Sequence, residues 1–581
     1  MKVRVARDSG FCMGVRRAME IALEALNRRP GPIYSYGPLI HNPQALEMLA
    51  GKGLRVIRRE DLPHIESAGG AVIVRAHGVP PEEREALEKA GLTVIDATCP
   101  RVIRVQAVIK RHADQGYTPL IVGDADHPEV VGLLAHAQGR GRVIRQPEDV
   151  AALPDLERVL LVAQTTQSPA LLTEMAAAVK ARWPGALIFD TICGATHRRR
   201  EAVRRMAGQV QAMVVVGGHE SGNTRRLAEV AGAEGLKTIH LETEEELSPA
   251  FLEGVEAVGV IAGASTPNWM IKRVVRQLER IARERSVSVA TVSHRLLRVL
   301  LLSNAYVALG AAGLMVAGTL LEGLEPSLML LGAVFFYVHA MHMLNLYLDK
   351  EAARYNDPDR AIFLESHRGL LFAASLFSAA ACLALGLAVS LGVFLLILIT
   401  GAVGLMYSVR LVPERLRAYT RFVRLKDVPA SKTFSVAGGW ALSLSLMPIL
   451  AAWQKPGPAV ALVAVVVFLL VFVRGALGGI FDIQGDRIVG RETIPTLIGE
   501  EKTLWLLYGA SALAAAFLVG GWILDLLPGL ALWLLVLPAY AAFYLYLYQR
   551  QRFVISLLFE ALADANFLLA GLMGWAWWRL F

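Results

Sequence analysis

Three cysteines carry the first chemical signal. Cys12, Cys99 and Cys193 recur along the chain at nearly even intervals. Asp96-Ala-Thr-Cys99 and Asp190-Thr-Ile-Cys193 each close an apolar run, and Cys12 lies in RDSGFCMGV at the start of a helical pattern. Even spacing suggests three similar α/β units, each delivering one thiolate to a common centre. The plain alternative is three unrelated buried cysteines, since free Cys packs as a small hydrophobe. Zinc is another, but compact zinc sites usually show CxxC pairs, and this sequence has none. Three thiolates from separate units suit an iron–sulfur cluster in which one iron lacks a protein ligand. Such an iron is a Lewis acid that can hold a substrate oxygen.

Small polar residues collect at equivalent places. His41 lies in YGPLIHNPQ, His77 in VRAHGVPP, and His127 with Glu129 in GDADHPEV. Thr165 lies in AQTTQSP, Ser221, Gly222 and Asn223 in GGHESGNT, and Ser265 in AGASTPN. Each precedes a predicted helix, where free backbone N–H groups and the helix dipole favour an anion. A single His at a strand end is commonly a structural cap. Three of them beside three cysteines point instead to a cradle for a diphosphate.

A second constellation sits at the ends of long apolar runs. HMLNLYLDKEAARYNDPDR gives Asn345 and Asp349 at i, i+4, on one helical face. GGIFDIQGDRIVGRETIP gives Asp482 and Asp486 at the same spacing. Two such helices converging would offer oxygen ligands to Mg²⁺, which takes a diphosphate as partner. Acids at helix ends also serve as simple interfacial caps, but ionisable residues in membrane segments are costly and usually functional.

The elements that must position these groups fall into two halves. The chain has 581 residues, 54% hydrophobic and 19% charged, with mean hydropathy +0.45, which excludes a disordered chain and a single soluble domain. Widely separated cysteines exclude a disulfide-stapled secreted scaffold. Before about residue 290, runs such as AVIVRAHG, LTVIDATC, LLVAQTT and AMVVVGG alternate with charged helical stretches. That is the pattern of parallel strands buried on both faces in an α/β fold.

Nine apolar runs follow, at 299–321, 327–348, 369–389, 391–409, 434–453, 458–481, 503–525, 529–549 and 555–578. Each is long enough to span a hydrocarbon core of ~30 Å. The loops at 349–368, 410–433, 482–502 and 550–552 are rich in Lys and Arg and alternate with nearly bare ones. This places them and the N-terminal half on the cytoplasmic side of an inner membrane, with the C-terminus outside. The first Met precedes charged residues and a strand pattern, so no cleavable signal peptide is expected. The net charge of +8 is then topology and contact with the lipid membrane, with no nucleic acid as partner. The expected division is 1–282, a basic membrane-surface connector at 283–298, and 299–581.

Taken in order, RDSGFCMGVRRA, YGPLIHNP, VRAHGV, DATCP, HPEV, QTT, DTIC and AGASTP closely resemble the 4-hydroxy-3-methylbut-2-enyl diphosphate reductase family, the last step of the methylerythritol phosphate route to isoprenoids. The resemblance covers residues 1 to about 282. It implies a three-lobed, pseudo-threefold α/β fold with parallel sheets around a [4Fe–4S] cluster ligated by Cys12, Cys99 and Cys193. It implies a diphosphate pocket of His41, His77, His127, Ser221, Asn223 and Ser265, with Glu129 as the catalytic carboxylate and Thr165 beside the substrate hydroxyl. The chemistry implied is reductive dehydroxylation: the hydroxyl leaves as water with a proton from Glu129, and two electrons arrive one at a time. The products would be isopentenyl and dimethylallyl diphosphate. No nucleotide or flavin motif occurs, so an external donor such as ferredoxin or flavodoxin is expected. One departure is visible. The family usually has Ser-Ser-Asn where this chain has Ser221-Gly222-Asn223, which leaves the Gly222 N–H as donor and implies weaker binding.

The second half resembles the UbiA-type superfamily of intramembrane prenyltransferases, all-α membrane domains of about nine transmembrane helices with two Asp-rich motifs. DIQGDRIVGRETIP matches the second motif, while Leu346 and Ala353 replace two acids of the first, with Asn356, Asp357 and Asp359 following. The resemblance implies Mg²⁺ bound by Asn345, Asp349, Asp482 and Asp486, and transfer from a polyprenyl diphosphate to an acceptor. Together the halves read as a bifunctional isoprenoid enzyme. Two other readings are a reductase on an inert membrane anchor and a membrane-tethered iron–sulfur redox sensor. A sensor needs no diphosphate cradle, and Glu129 with the His pocket stands against it.

Overall fold

Each apolar run of the N-terminal half is a short parallel strand, and each strand end leads into a helix. The computed structural model describes residues 1–6, 8–65, 69–284, 289–348, 355–407, 425, 428–550 and 557–581. Two compact units divide the chain, Met1–Ser286 and Val287–Phe581.

Three four-stranded parallel sheets make up the first unit. One contains β2 (Ile33–Tyr36), β3 (Leu54–Ile57), β4 (Ala71–Val74) and β5 (Thr93–Asp96) in the order β3-β2-β4-β5. The next contains β6 (Thr118–Val122), β7 (Arg142–Ile144), β8 (Val159–Ala163) and β9 (Leu187–Ile188) in the order β7-β6-β8-β9. The last contains β10 (Ala212–Val216), β11 (Lys237–Leu241) and β12 (Ala257–Ala262), closed by the N-terminal strand β1 (Lys2–Val5), in the order β1-β12-β10-β11. With β1 standing where a thirteenth strand would be, the three sheets share one topology. The even cysteine spacing therefore reflects a repeated unit.

The central strands are apolar because helices cover both faces, while the edge strands β1 and β3 keep exposed residues. Every residue of β8 and β10 is buried. Val214 and Val260 pack with Ile271 and Leu278 on one face of their sheet, and Met213, Val215 and Ile261 with Val203 and Leu227 on the other.

The second unit is helical. Among the described residues seven helices are long and apolar enough to cross a membrane, and an eighth span arises if Arg295–Leu302 and Ala305–Leu321, bent by 77°, count as one. The bend falls at Asn304, whose φ of 58° is left-handed, a conformation Asn tolerates and a helix does not. The run expected at 391–409 is the shorter helix Leu391–Met406. Small residues let the backbones approach: a Cβ on Gly571 would come within 2.6 Å of Gly313 Cα. The helix Pro458–Ile488 has 31 residues; at about 46 Å it outruns a ~30 Å hydrocarbon core and carries Asp482 and Asp486 in its last turns.

Candidate functional site

The repeated topology sorts the polar residues into three equivalent positions, all at the C-terminal ends of strands, where parallel α/β sheets place their ligands. The loops after β2, β6 and β10 carry His41, His127 and Ser221–Asn223. Those after β4, β8 and β12 carry His77, Thr165 and Ser265. Those after β5, β9 and β1 carry Cys99, Cys193 and Cys12, each of which caps the helix that follows. One hydrogen bond recurs in every lobe. The Cys99 amide donates to Ala76 O at 2.9 Å, the Cys193 amide to Thr165 O at 2.8 Å, and the Cys12 amide to Ala264 O at 3.0 Å. Each cysteine is thus tied to the loop that carries His77, Thr165 or Ser265.

The lobes also lock onto one another around the thiols. Arg17 donates to Thr98 O at 2.9 Å and Asp96 O at 3.2 Å. Gly14 leaves room for the Cys99 thiol, since a Cβ there would meet Sγ at 2.5 Å. Burial pushes the Cys99 thiol up, and the charges of Cys12 and Cys193 push in the same direction, against backbone hydrogen bonds from Arg101 and Val102. The Val15 amide donates to Cys12 Sγ at 3.4 Å. The buried Arg199 guanidinium sits in the field of Cys12 and Cys193. It donates to Ala195 O at 3.3 Å.

His41, His77 and His127 converge, with ring centroids 4.8, 5.8 and 5.3 Å apart. One ligating atom from each lies within 4.8 Å of the others, so the three could hold a metal ion as well as an anion. Burial holds the imidazoles below their usual range, reinforced by Arg75 at all three and by neighbouring imidazoles at His77 and His127. His127 is pushed down to about 4. His127 Nδ1 accepts from the Glu129 amide at 3.1 Å, which leaves Nε2 to carry the ring proton. Ser265 Oγ donates to His41 O at 2.9 Å and pins that loop. His41 Nε2, His77 Nδ1, Asn223 Nδ2 and Thr224 Oγ1 are buried without a hydrogen-bond partner among the described residues, as donors awaiting an anion would be. Ser221 is buried at the first turn of its helix. Around Gly222 a Cβ would meet nothing within 4 Å.

Glu129 is 2% exposed. Its Oε1 accepts from the Thr165 amide at 2.7 Å and its Oε2 from the Thr165 hydroxyl at 3.0 Å. Burial raises its carboxyl above the usual range, against those two hydrogen bonds. A carboxyl group that holds its proton more tightly than usual is suited to general-acid work.

Sequence reasoning missed Arg75 and Thr224. Arg75 stands in VRAHGV two residues before His77, and its charge acts on all three histidines. A Cβ on Gly263 would meet Thr224 Oγ1 at 2.1 Å, so the end of β12 lies directly on that hydroxyl.

In the helical unit Asp349 lies outside the described residues, as do residues 350–354 and most of the basic loop at 410–433. Asp486 is fully buried. Its Oδ1 accepts from Asn356 Nδ2 at 3.1 Å, while Oδ2 has no hydrogen-bond partner among the described residues. Asp482 faces Lys432 Nζ at 3.5 Å. Asn356, which follows the degenerate first motif, is thus the residue that reaches Asp486. Asn345 Oδ1 is buried without a hydrogen-bond partner among the described residues.

Residues 3–279 match the family described as LytB protein, and residues 306–558 the UbiA prenyltransferase family. The chain is 40% identical over 286 residues to a 4-hydroxy-3-methylbut-2-enyl diphosphate reductase of Geotalea daltonii, covering 49% of this chain and 100% of that protein. To the protein of the same name from Geobacter sulfurreducens it is 42% identical over 279 residues, 48% of this chain and 97% of that one. To that of Aquifex aeolicus it is 40% identical over 287 residues, 49% and 98%. Through its first half the chain belongs to the LytB protein family, and it continues into a UbiA prenyltransferase family domain.

Proposed function

We propose that the N-terminal half reduces 4-hydroxy-3-methylbut-2-enyl diphosphate to isopentenyl and dimethylallyl diphosphate, and that the membrane half transfers a prenyl group with Mg²⁺. The observation that carries the first part is the joining of each cysteine amide to the loop of His77, Thr165 or Ser265. It sets three thiolates beside a proton-bearing pair and an anion cradle.

The donor set fits an iron–sulfur cluster. Cys12, Cys99 and Cys193 stand at three helix N-termini and repel one another as thiolates, so a positive centre stabilises them. The tight three-ligand set is the histidines. A [4Fe–4S] cluster on these thiolates would supply single electrons and an iron without a protein ligand. The chain's own residues do the rest. The diphosphate is held by the donors of His41, His77, Asn223 and Thr224, and by the positive charge of Arg75. An N–H donor such as Asn223 Nδ2 cannot ligate a metal, which favours an anion over a cation at the histidines. Thr165 holds Glu129 in place, and Glu129 delivers its proton to the departing hydroxyl. Burial of Glu129 and Thr165 keeps water away from that proton.

In the membrane half, Asp482 and Asp486 would hold Mg²⁺ against a polyprenyl diphosphate, with the open Oδ2 of Asp486 as ligand and Asn356 fixing its other oxygen. The basic loops then lie on the cytoplasmic side with the reductase half, and the C-terminus lies outside.

The test uses the full chain, purified anaerobically in detergent, with iron and sulfide analysis. With reduced ferredoxin or flavodoxin as donor, the substrate is expected to yield both five-carbon diphosphates. A chain with its full complement of iron and sulfide that leaves the substrate intact would overturn the reading.

A further inference from the structure

A cavity of about 400 Å³ opens between the β6–β9 and β10–β12 lobes, lined by Arg145, Arg200, Arg204 and Arg226. Two acids, Asp124 and Glu229, share the lining. Arg226 pairs with Asp124 at 3.2 Å, and Arg204 with Glu234 at 3.3 Å. Arg145 and Arg200 have no ion pair among the described residues; Glu229 acts on Arg200, and Asp149 lies in the field of Arg145. Arg200 is 8% exposed. A buried guanidinium among like charges is costly unless an anion completes the cluster.

We propose that this cavity is a second anion site, taking a small phosphate- or diphosphate-bearing molecule. Several arginine forks converging in one concavity match the oxygens of such a group, and a buried Arg200 is out of reach of a flat protein surface. None of the three histidines lines the cavity, but it shares supports with their cradle, and the charges of Asp124 and Arg226 act on His127. Arg226 lies on the helix that begins at Ser221–Asn223 and also donates to Thr166 O at 3.4 Å. Arg200 and Arg204 lie on the helix that Cys193 caps. Asp124 opens the loop that carries His127. An anion there would draw these supports together across the two lobes and stiffen the site they frame.

The full chain in detergent is titrated with inorganic diphosphate in Mg²⁺-free buffer by calorimetry. Two binding events are expected. Replacing His41 and His127 together with Ala removes the cradle event, and what remains belongs to the cavity. In that background Arg200→Gln and, separately, Arg145→Gln are expected to weaken the remaining event by about tenfold or more. Arg145 is exposed, so its variant tests the cavity without disturbing the interior. The proposal is overturned if the cradle variant binds no diphosphate, or if neither arginine substitution changes its affinity. It is equally overturned if diphosphate binding holds while an acidic electron donor is used less well, because the surface would then be a protein-docking face. Failure of substrate reduction in the parent leaves this titration readable, since no turnover enters it.

Discussion

The Cys193 amide donates to the Thr165 carbonyl at 2.8 Å, while the Thr165 hydroxyl and amide both donate to Glu129. A thiolate position and a proton donor therefore share one residue. A rotation of the β8 loop would move both together, which under the proposed reaction keeps the proton in step with the reacting bond.

Glu129→Gln keeps the side-chain shape and an oxygen for Thr165, but carries no acidic proton. Turnover is expected to fall by roughly 10² to 10⁴-fold, the usual worth of a placed acid, with iron and sulfide content unchanged. The folded carboxyl is raised by burial, so in the parent the acid form is lost as pH rises through that value and kcat falls with it. The stability this group contributes is present at low pH and lost in the same direction. A variant as active as the parent would remove Glu129 from the mechanism.

Much of this arrangement was legible in the sequence. The apolar runs that end in Cys, His or Thr are strands whose C-terminal ends form the site, because parallel strands buried on both faces cannot alternate in polarity. Their grouping into three sheets of one topology was implied by the cysteine spacing and by the family resemblance. The closure of the last sheet by β1 depends on pairing across most of the first unit, which no local pattern encodes. Arg75 escaped notice because a single Arg in a loop looks like any solvated one until burial is known. In the helical unit, Asn304 reads as an ordinary polar residue in an apolar run, yet its left-handed backbone splits the first span. Asn356 follows the degenerate first motif in the sequence, but its contact with Asp486 depends on how the helices pack.

His127 offers a pH test. Burial, then the charge of His41, hold its folded value at about 4, against 6.5 when free. A depressed value adds stability that is present above pH 6.5 and lost as pH falls toward 4. The anion-free chain is expected to lose Tm across that window, and His127→Asn to flatten the loss. Diphosphate favours the protonated ring and should shrink the drop. A profile identical in parent and variant would show that His127 titrates freely.

Gly14→Ala tests the packing of the thiols. The added methyl would meet Cys99 Sγ at 2.5 Å, closer than any tolerated contact, while Ala is the better helix former by about 1 kcal/mol. Helix content should hold, and iron per chain should fall by about half or more. Unchanged iron content and visible absorbance would mean that Cys99 can move without losing its place.

Gly222→Ser tests the departure in the anion loop. The position has open space around its missing Cβ, so a serine enters without strain and adds a donor to the cradle. One such hydrogen bond is worth about 1 kcal/mol, so KM is expected to drop roughly fivefold with kcat nearly constant. A KM that rises would show that the loop needs glycine for approach of the ligand to the backbone.

Asp486→Asn separates the two activities. The side chain is fully buried, held on one oxygen by Asn356 and open on the other. Asparagine preserves the volume and one acceptor while removing the charge that Mg²⁺ requires. Assayed in detergent with Mg²⁺ and a polyprenyl diphosphate, prenyl transfer is expected to fall by at least about a hundredfold, because the metal must neutralise the leaving diphosphate. The reductase rate of the same preparation should not change. Equal transfer in parent and variant would dismiss Asp486 as a ligand, and no transfer in a parent whose reductase is active would leave the membrane half as an anchor.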